Sequence, residues 1–155
     1  MIVLKTNREL ALMREACIIS AGALKLAGEA VEPGVTTAEI DKIAYDYIIK
    51  CGAKPNFLNY NGYPATACIS INDEVIHGIP SKKRVIEEGD IVSIDLGAVI
   101  EGFNGDNAAT FAAGAISSEA KRLCDTTKES LFLGIEKAVA GGRIGDIGSA
   151  VQRHC

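Results

Sequence analysis

The chain opens with a Thr6-x-x-Glu9 capping box followed by Leu10, Met13, Cys17, Ala21 and Leu24 at intervals of three and four. This is the stripe an amphipathic helix presents to a core. It predicts a first helix running to about Val31, broken by Pro33-Gly34. Thr36-x-x-Glu39 then caps a second helix whose buried face is Ile40, Ile43, Ala44, Tyr47 and Ile48, ending near Cys51-Gly52. The two helices are expected to form a hairpin. From 54 to 80 the pattern dissolves into Asn, Gly and Pro around one β-type run, Ala67-Cys68-Ile69-Ser70-Ile71. That stretch is expected to be mostly loop, and loops of this length often carry function. Residues 91–100 and 103–111 read as two strands joined at Glu101-Gly102, and Ser117 or Ser118 starts a further helix with Leu123, Leu131 and Ile135 on its inner side. The fold class this implies is α+β.

A shift of 107 residues lays the first helical hairpin on the end of the chain. Cys17 meets Cys124, Leu24 meets Leu131, Leu26 meets Leu133, Glu29 meets Glu136, Gly34 meets Gly141 and Ile40 meets Ile147, with Glu39 on Asp146. The repeat makes residues 1–114 a first half and 115–155 the beginning of a second, within one incomplete domain over 1–155. A complete duplication would need roughly another hundred residues.

Composition narrows the function classes. Hydrophobic residues make up 48% and aromatic ones 5%, which gives a globular core built mainly from aliphatic side chains. The balance of 16 Lys+Arg against 20 Asp+Glu leaves a formal charge of −4, and the only basic cluster is Lys82-Lys83-Arg84. Direct nucleic-acid binding is not expected. Charges interrupt every hydrophobic run before it could span a bilayer, and the opening residues have no apolar signal segment, so no membrane association and a cytoplasmic location are expected. Five cysteines without CxxC spacing point to reduced thiols.

The chemistry concentrates in the paired strands. Val92, Ile94, Leu96 and Ala98 share one face, and Asp95 and Gly97 point to the other. With a two-residue turn at Glu101-Gly102, Asp106 lies opposite Gly97 and diagonal to Asp95, so the two carboxylates stand within about 5–8 Å. A cation between them is the arrangement that keeps both ionised, and Gly97 would leave room for it. On pattern alone, two solvated aspartates on an exposed hairpin remain the alternative. His77, between a short apolar run and Gly78-Ile79-Pro80, could reach a cleft and donate to a substrate carbonyl, or could simply be solvated. Tyr60, Tyr63 and Cys68 surround Asn61-Gly62-Tyr63-Pro64 and could wall a pocket for an unbranched side chain, or could be packing residues. His154 has no such context.

The runs Asn59-Tyr60-Asn61-Gly62-Tyr63-Pro64, Cys68-Ile69-Ser70-Ile71-Asn72, His77-Gly78-Ile79-Pro80, Gly89-Asp90-Ile91-Val92-Ser93-Ile94-Asp95 and Gly102-Phe103-Asn104-Gly105-Asp106 resemble, in the same order, the motif series of type I methionine aminopeptidases. The resemblance covers essentially the whole chain. It implies the pita-bread fold, two pseudo-symmetric halves around a pair of divalent metal ions (Co, Mn, Fe or Zn), with Asp95 and Asp106 as two of five ligands. It further implies that His77 contacts the substrate peptide or the tetrahedral intermediate, and that Tyr60, Tyr63 and Cys68 help hold the methionine side chain. Phe57 falls at a pocket position that varies within the family. The expected substrate is a peptide or nascent chain beginning with Met. The family's remaining ligands, a histidine in a Gly-His-Gly-Ile-Gly motif and two later glutamates, have no counterpart in these 155 residues. The chain is therefore expected to be truncated, inactive alone, and prone to self-association through an exposed half-site. The alternative is a non-catalytic pita-bread module that binds peptides or proteins.

Overall fold

A computed structural model describes residues 3–155, and the chain divides into two compact units, the first ending at Ala115 and the second running over Ile116–Cys155. In the first, helices α1 (Asn7–Glu29) and α2 (Thr37–Lys50) precede strands β1 (Lys54–Pro55), β2 (Ala67–Ile71), β3 (Ile91–Ile100) and β4 (Phe103–Ala112). The second unit is a helix pair, α3 (Ser118–Ile135) and α4 (Ile144–His154).

Both capping boxes form. Thr6 and Thr36 accept the backbone N–H of Glu9 and Glu39, whose carboxylates reach back to the cap residues. The second helix buries the expected face, with Ile40, Ala44 and Ile48 inaccessible to solvent. The first helix does not. Its core face is Ala16, Ile19, Ser20, Ala23, Leu24 and Ala27, while Leu10 is 50% exposed and Cys17 and Ala21 lie on the surface. Close approach explains the difference. A Cβ added at Gly105 of β4 would lie 2.3 Å from the backbone of Ala16 and Cys17, and one at Gly28 would enter the Phe111 ring. Only small residues permit a helix backbone to rest so near a strand.

The sheet is antiparallel. One edge of β3 pairs with β2 and then β1, and the other pairs with β4 along its whole length. The turn residues Glu101 (φ 46) and Gly102 (φ 82) both take left-handed conformations, the signature of a two-residue type I′ hairpin. It sets the register at Ile100↔Phe103 and Gly97↔Asp106, as the sequence predicts. The inward face of β3 (Val92, Ile94, Leu96, Ala98) meets Ile40, Ile48 and Ile69 in the core. Each fully buried Ile or Leu there contributes about 1.5–3 kcal/mol.

In the second unit Ser117 caps α3, but Leu123, Leu131 and Ile135 are 55–59% exposed instead of inward. The buried positions are Ser130 and Gly134, and Gly134 faces Val151 and Ile147 of α4. Two helices without a sheet can cover only one narrow stripe of each other. At the offset of 107, α4 begins on the counterpart of the first residue of α2, Gly141 (φ 85) answers Gly34 (φ 96), and the Asp146 carboxylate accepts the Arg143 N–H as Glu39 does that of Thr36.

Candidate metal centre and substrate cleft

The face of the sheet turned away from the helices carries the candidate site. Register places Cys68 beside Asp95 and Gly97 beside Asp106. The Asp95 carboxyl lies within hydrogen-bonding reach of that of Asp106. Burial, then the Asp106 charge and that hydrogen bond, push Asp95 up to about 6, while the positive field of His77 opposes the rise. A half-buried carboxylate and an exposed one held this close are an electrostatic strain that a cation would relieve. Gly97 does not provide room for that cation: a Cβ there would lie 2.9 Å from Cβ of Asn56, whose side chain already fills the gap. The Asn56 N–H donates to the Gly97 carbonyl at 2.9 Å, continuing the β1 pairing by one residue.

His77 is exposed and sits at φ 60, a left-handed backbone that costs a non-glycine residue about 1–2 kcal/mol. Gly78 holds it there. Its carbonyl accepts the Ile69 N–H at 2.8 Å and its N–H donates to Ser70 Oγ at 3.1 Å. A Cβ on Gly78 would lie 2.1 Å from the Ile69 carbonyl oxygen, so only glycine fits against β2. Tyr63 bridges the same two segments, its hydroxyl near the carbonyls of Ala67 (3.0 Å) and Gly78 (3.2 Å). Burial raises the Tyr63 phenol far above its usual value and also raises the Cys68 thiol, so both remain neutral at physiological pH. Asp41 anchors the start of β2 by accepting the N–H groups of Thr66 (2.9 Å) and Ala67 (2.8 Å).

These parts meet in one cleft of about 780 Å³, lined among others by Tyr60, Tyr63, Cys68, His77 and Asp95. Phe57, Asn56 and Asn104 complete its wall. The structure thus brings together every residue singled out from the sequence except His154, which pairs with Glu129 at 3.0 Å in the second unit. Asp41 was readable as an anomaly, an acid spaced with Thr37, Ala44 and Ile48 on the buried stripe of α2. Asn56 carried no signal.

Among the described residues no group of three or more His, Cys, Asp or Glu side chains is arranged to hold a metal ion. The donor chemistry of Asp95 and Asp106 fits a divalent cation, as part of a ligand set. Nor, among the described residues, is any helix long and apolar enough to cross a membrane.

A sheet with a carboxylate pair on one face and two helices on the other, set beside a strained histidine, defines a class. Residues 11–155 match the model of metallopeptidase family M24, and the chain belongs to that family. It is 51% identical over 154 residues to the methionine aminopeptidase of Clostridium acetobutylicum, covering 99% of this chain and 62% of that protein. Against methionine aminopeptidase 1 of Bacillus subtilis the identity is 44%, with the same coverage. The crystal structure of methionine aminopeptidase from Rickettsia prowazekii superposes with a TM-score of 0.95 at 36% identity, over 99% of this chain and 62% of that one. Prolidase from Pyrococcus furiosus gives 0.86 at 25% identity, over 98% and 43%. The fold is the pita-bread fold, and the chain spans about three-fifths of the length of the curated relatives it matches.

Proposed function

We propose that this chain supplies the substrate cleft and the first two metal ligands of a methionine aminopeptidase, a cytoplasmic enzyme that removes the initiator Met from peptides and nascent chains. The observation that carries the reading is the pair Asp95 and Asp106, with Asp95, which lines the cleft, raised to about 6 beside its neighbour. A structural hairpin gains nothing from such a pair, whereas a metal site requires one. Asp95 and Asp106 would hold divalent ions of the Co, Mn, Fe or Zn type together with further ligands. Bound there, the metal supplies Lewis acidity toward the scissile carbonyl and the attacking water.

The chain's own residues do the rest. Tyr60, Tyr63 and the neutral Cys68 thiol wall a pocket of apolar and weakly polar surface, suited to an unbranched thioether side chain. His77, fixed by the Gly78 contacts, offers an N–H to the oxygen that gains charge as the carbonyl becomes tetrahedral. Asn56 and Asp41 touch none of the reacting atoms in this scheme; they position β3 and β2.

The test is a chimera in which this chain is continued by the remaining part of the Clostridium acetobutylicum relative. It is expected to release Met from short peptides, and Asp95→Asn or Asp106→Asn to abolish release with the fold intact. His77→Ala should lower turnover by about 10²- to 10³-fold without changing bound metal. Full activity in either aspartate variant would remove the ligand assignment. A chimera that binds Met peptides without cleaving them would return the non-catalytic reading.

A further inference from the structure

The inward side of α2 carries two polar side chains among Ile40, Ala44 and Ile48: Thr37, which is buried, and Asp41, which is half-buried. A polar group withdrawn from water needs a partner. Neither of these finds its partner in the helix itself, because Thr36 and Glu39 already form the capping box of α2. Both bond instead to backbone distant in sequence. The Thr37 hydroxyl accepts the Ser81 N–H at 2.9 Å and donates to the carbonyl of the same residue at 3.2 Å, and the Thr37 N–H donates to the Arg84 carbonyl at 3.0 Å. One oxygen of Asp41 accepts the N–H groups of both Thr66 and Ala67.

These two targets lie on two different sides of the cleft. Ser81 closes the arm His77-Gly78-Ile79-Pro80, whose other hold is Gly78 against β2. Thr66 and Ala67 lead into Cys68, and the Ala67 carbonyl accepts the Tyr63 hydroxyl. After burial and closer neighbours, the Asp41 charge adds to the rise of the Tyr63 phenol and the Cys68 thiol, so the carboxylate stands close behind that wall. Four residues apart, Thr37 and Asp41 share one face of α2 and lie about 6 Å from each other along its axis. All of these bonds lie within the first unit.

We propose, on the aminopeptidase reading of the cleft, that Thr37 and Asp41 are positioning residues: one turn of α2 holds the His77 arm and the wall of Tyr63 and Cys68 at a fixed spacing. The distance from the oxyanion donor to the side-chain pocket is then set by a helix that touches no substrate. The two holds are separate, so they act on different kinetic constants. A side-chain pocket binds substrate and transition state alike, whereas an oxyanion donor acts as the carbonyl becomes tetrahedral. In the chimera, Asp41→Ala is expected to raise KM for a Met peptide about tenfold with little change in kcat, and Thr37→Val to lower kcat about three- to tenfold with KM kept. Asp41→Asn keeps the accepting oxygen and Thr37→Ser keeps the hydroxyl, so each should return close to the parent values. Asp41→Glu moves the acceptor by one methylene; it should shift KM in the same sense as Asp41→Ala and guards against loss of the fold in that variant.

The same variants of the 155-residue chain read the two holds without metal or turnover. With Cys17, Cys51, Cys124 and Cys155 replaced by Ser, Asp41→Ala should speed alkylation of the buried Cys68 by iodoacetamide about tenfold. Thr37→Val should leave that rate unchanged. It should instead speed hydrogen exchange at the Ile69 amide, whose acceptor is the Gly78 carbonyl, by a similar factor, with the Thr66 and Ala67 amides unmoved. A parent chimera without activity, accompanied by both of these responses, would sink the aminopeptidase reading and uphold the hold of α2 on the two segments. Two results overturn the proposal. One is an active chimera in which either variant changes KM and kcat in equal proportion. The other is a pair of variants that melt earlier than the parent while Cys68 alkylation and Ile69 exchange match it.

Discussion

Among single residues, His77 combines an exposed imidazole with a backbone that favours glycine, and the two can be separated by substitution. His77→Ala and His77→Gly remove the same ring, but only Ala keeps the left-handed penalty. The Gly variant should be more stable than the Ala variant by about 1 kcal/mol, measured by urea denaturation, with equal loss of turnover in the chimera. Asp95 gives a pH signature whose sign follows from linkage. Its folded value lies above the ordinary 3.8, at about 6, so between those values the folded chain holds a proton that the unfolded chain releases. Stability present below about pH 4 is lost as pH rises through 6. Thermal melts of the metal-free chain should decline across that window. Asp106→Asn should flatten the decline, and Mn²⁺ at pH 7.5 should reverse it in the parent chain alone. A parent chain whose melting temperature is constant from pH 4 to 7 would count against the coupled pair. At this scale the sequence located the carboxylates and the histidine, because strand alternation and turn length are local rules. It could not place Asn56, whose contact with Gly97 depends on where a loop returns to the sheet.

At the scale of elements, legibility depended on side-chain size. The hairpin register and the α2 face were readable because large aliphatic residues mark them, and Ile40, Ile48, Ile94 and Leu96 are all fully buried. The α1 face was misjudged because its core contact is made by Ala16, Ala23 and Ala27, while larger residues sit on the opposite flank. Periodicity weights bulk, whereas a helix lying backbone-to-backbone on a strand selects for its absence. Gly105→Ala tests this contact. The new methyl must displace the Ala16–Cys17 backbone, at a cost of about 1–3 kcal/mol, and the register of β3 with β4 should survive. A variant as stable as the parent would mean that α1 does not rest backbone-to-backbone on β4. The exposed residues of α3 reflect the same limit from the other side. The helical spacing of Leu123, Leu131 and Ile135, eight and four residues apart, reports an apolar face without saying what lies against it.

For the whole molecule, every residue lining the cleft lies in the first unit, between Asn56 and Asn104, and the carboxylate pair is completed by Asp106. The relatives are longer by about three-fifths of this chain's length; the first unit nevertheless assembles the cleft from its own strands. That concentration has a kinetic side. A two-residue turn joins β3 to β4, so bringing Asp95 to Asp106 closes a short loop at little entropic cost and can precede the long-range docking of α1. The repulsion between the carboxylates is then met on the way up the folding barrier. Stopped-flow refolding at pH 7 should be faster for Asp106→Asn than for the parent, with unfolding rates nearly equal, and the two should refold at the same rate near pH 4. If Asp106→Asn instead slows unfolding and leaves refolding unchanged, the hairpin zips late. Otherwise the carboxylate pair acts as a brake on the chain's own folding, one that a divalent ion bound between the two would release once the strands have met.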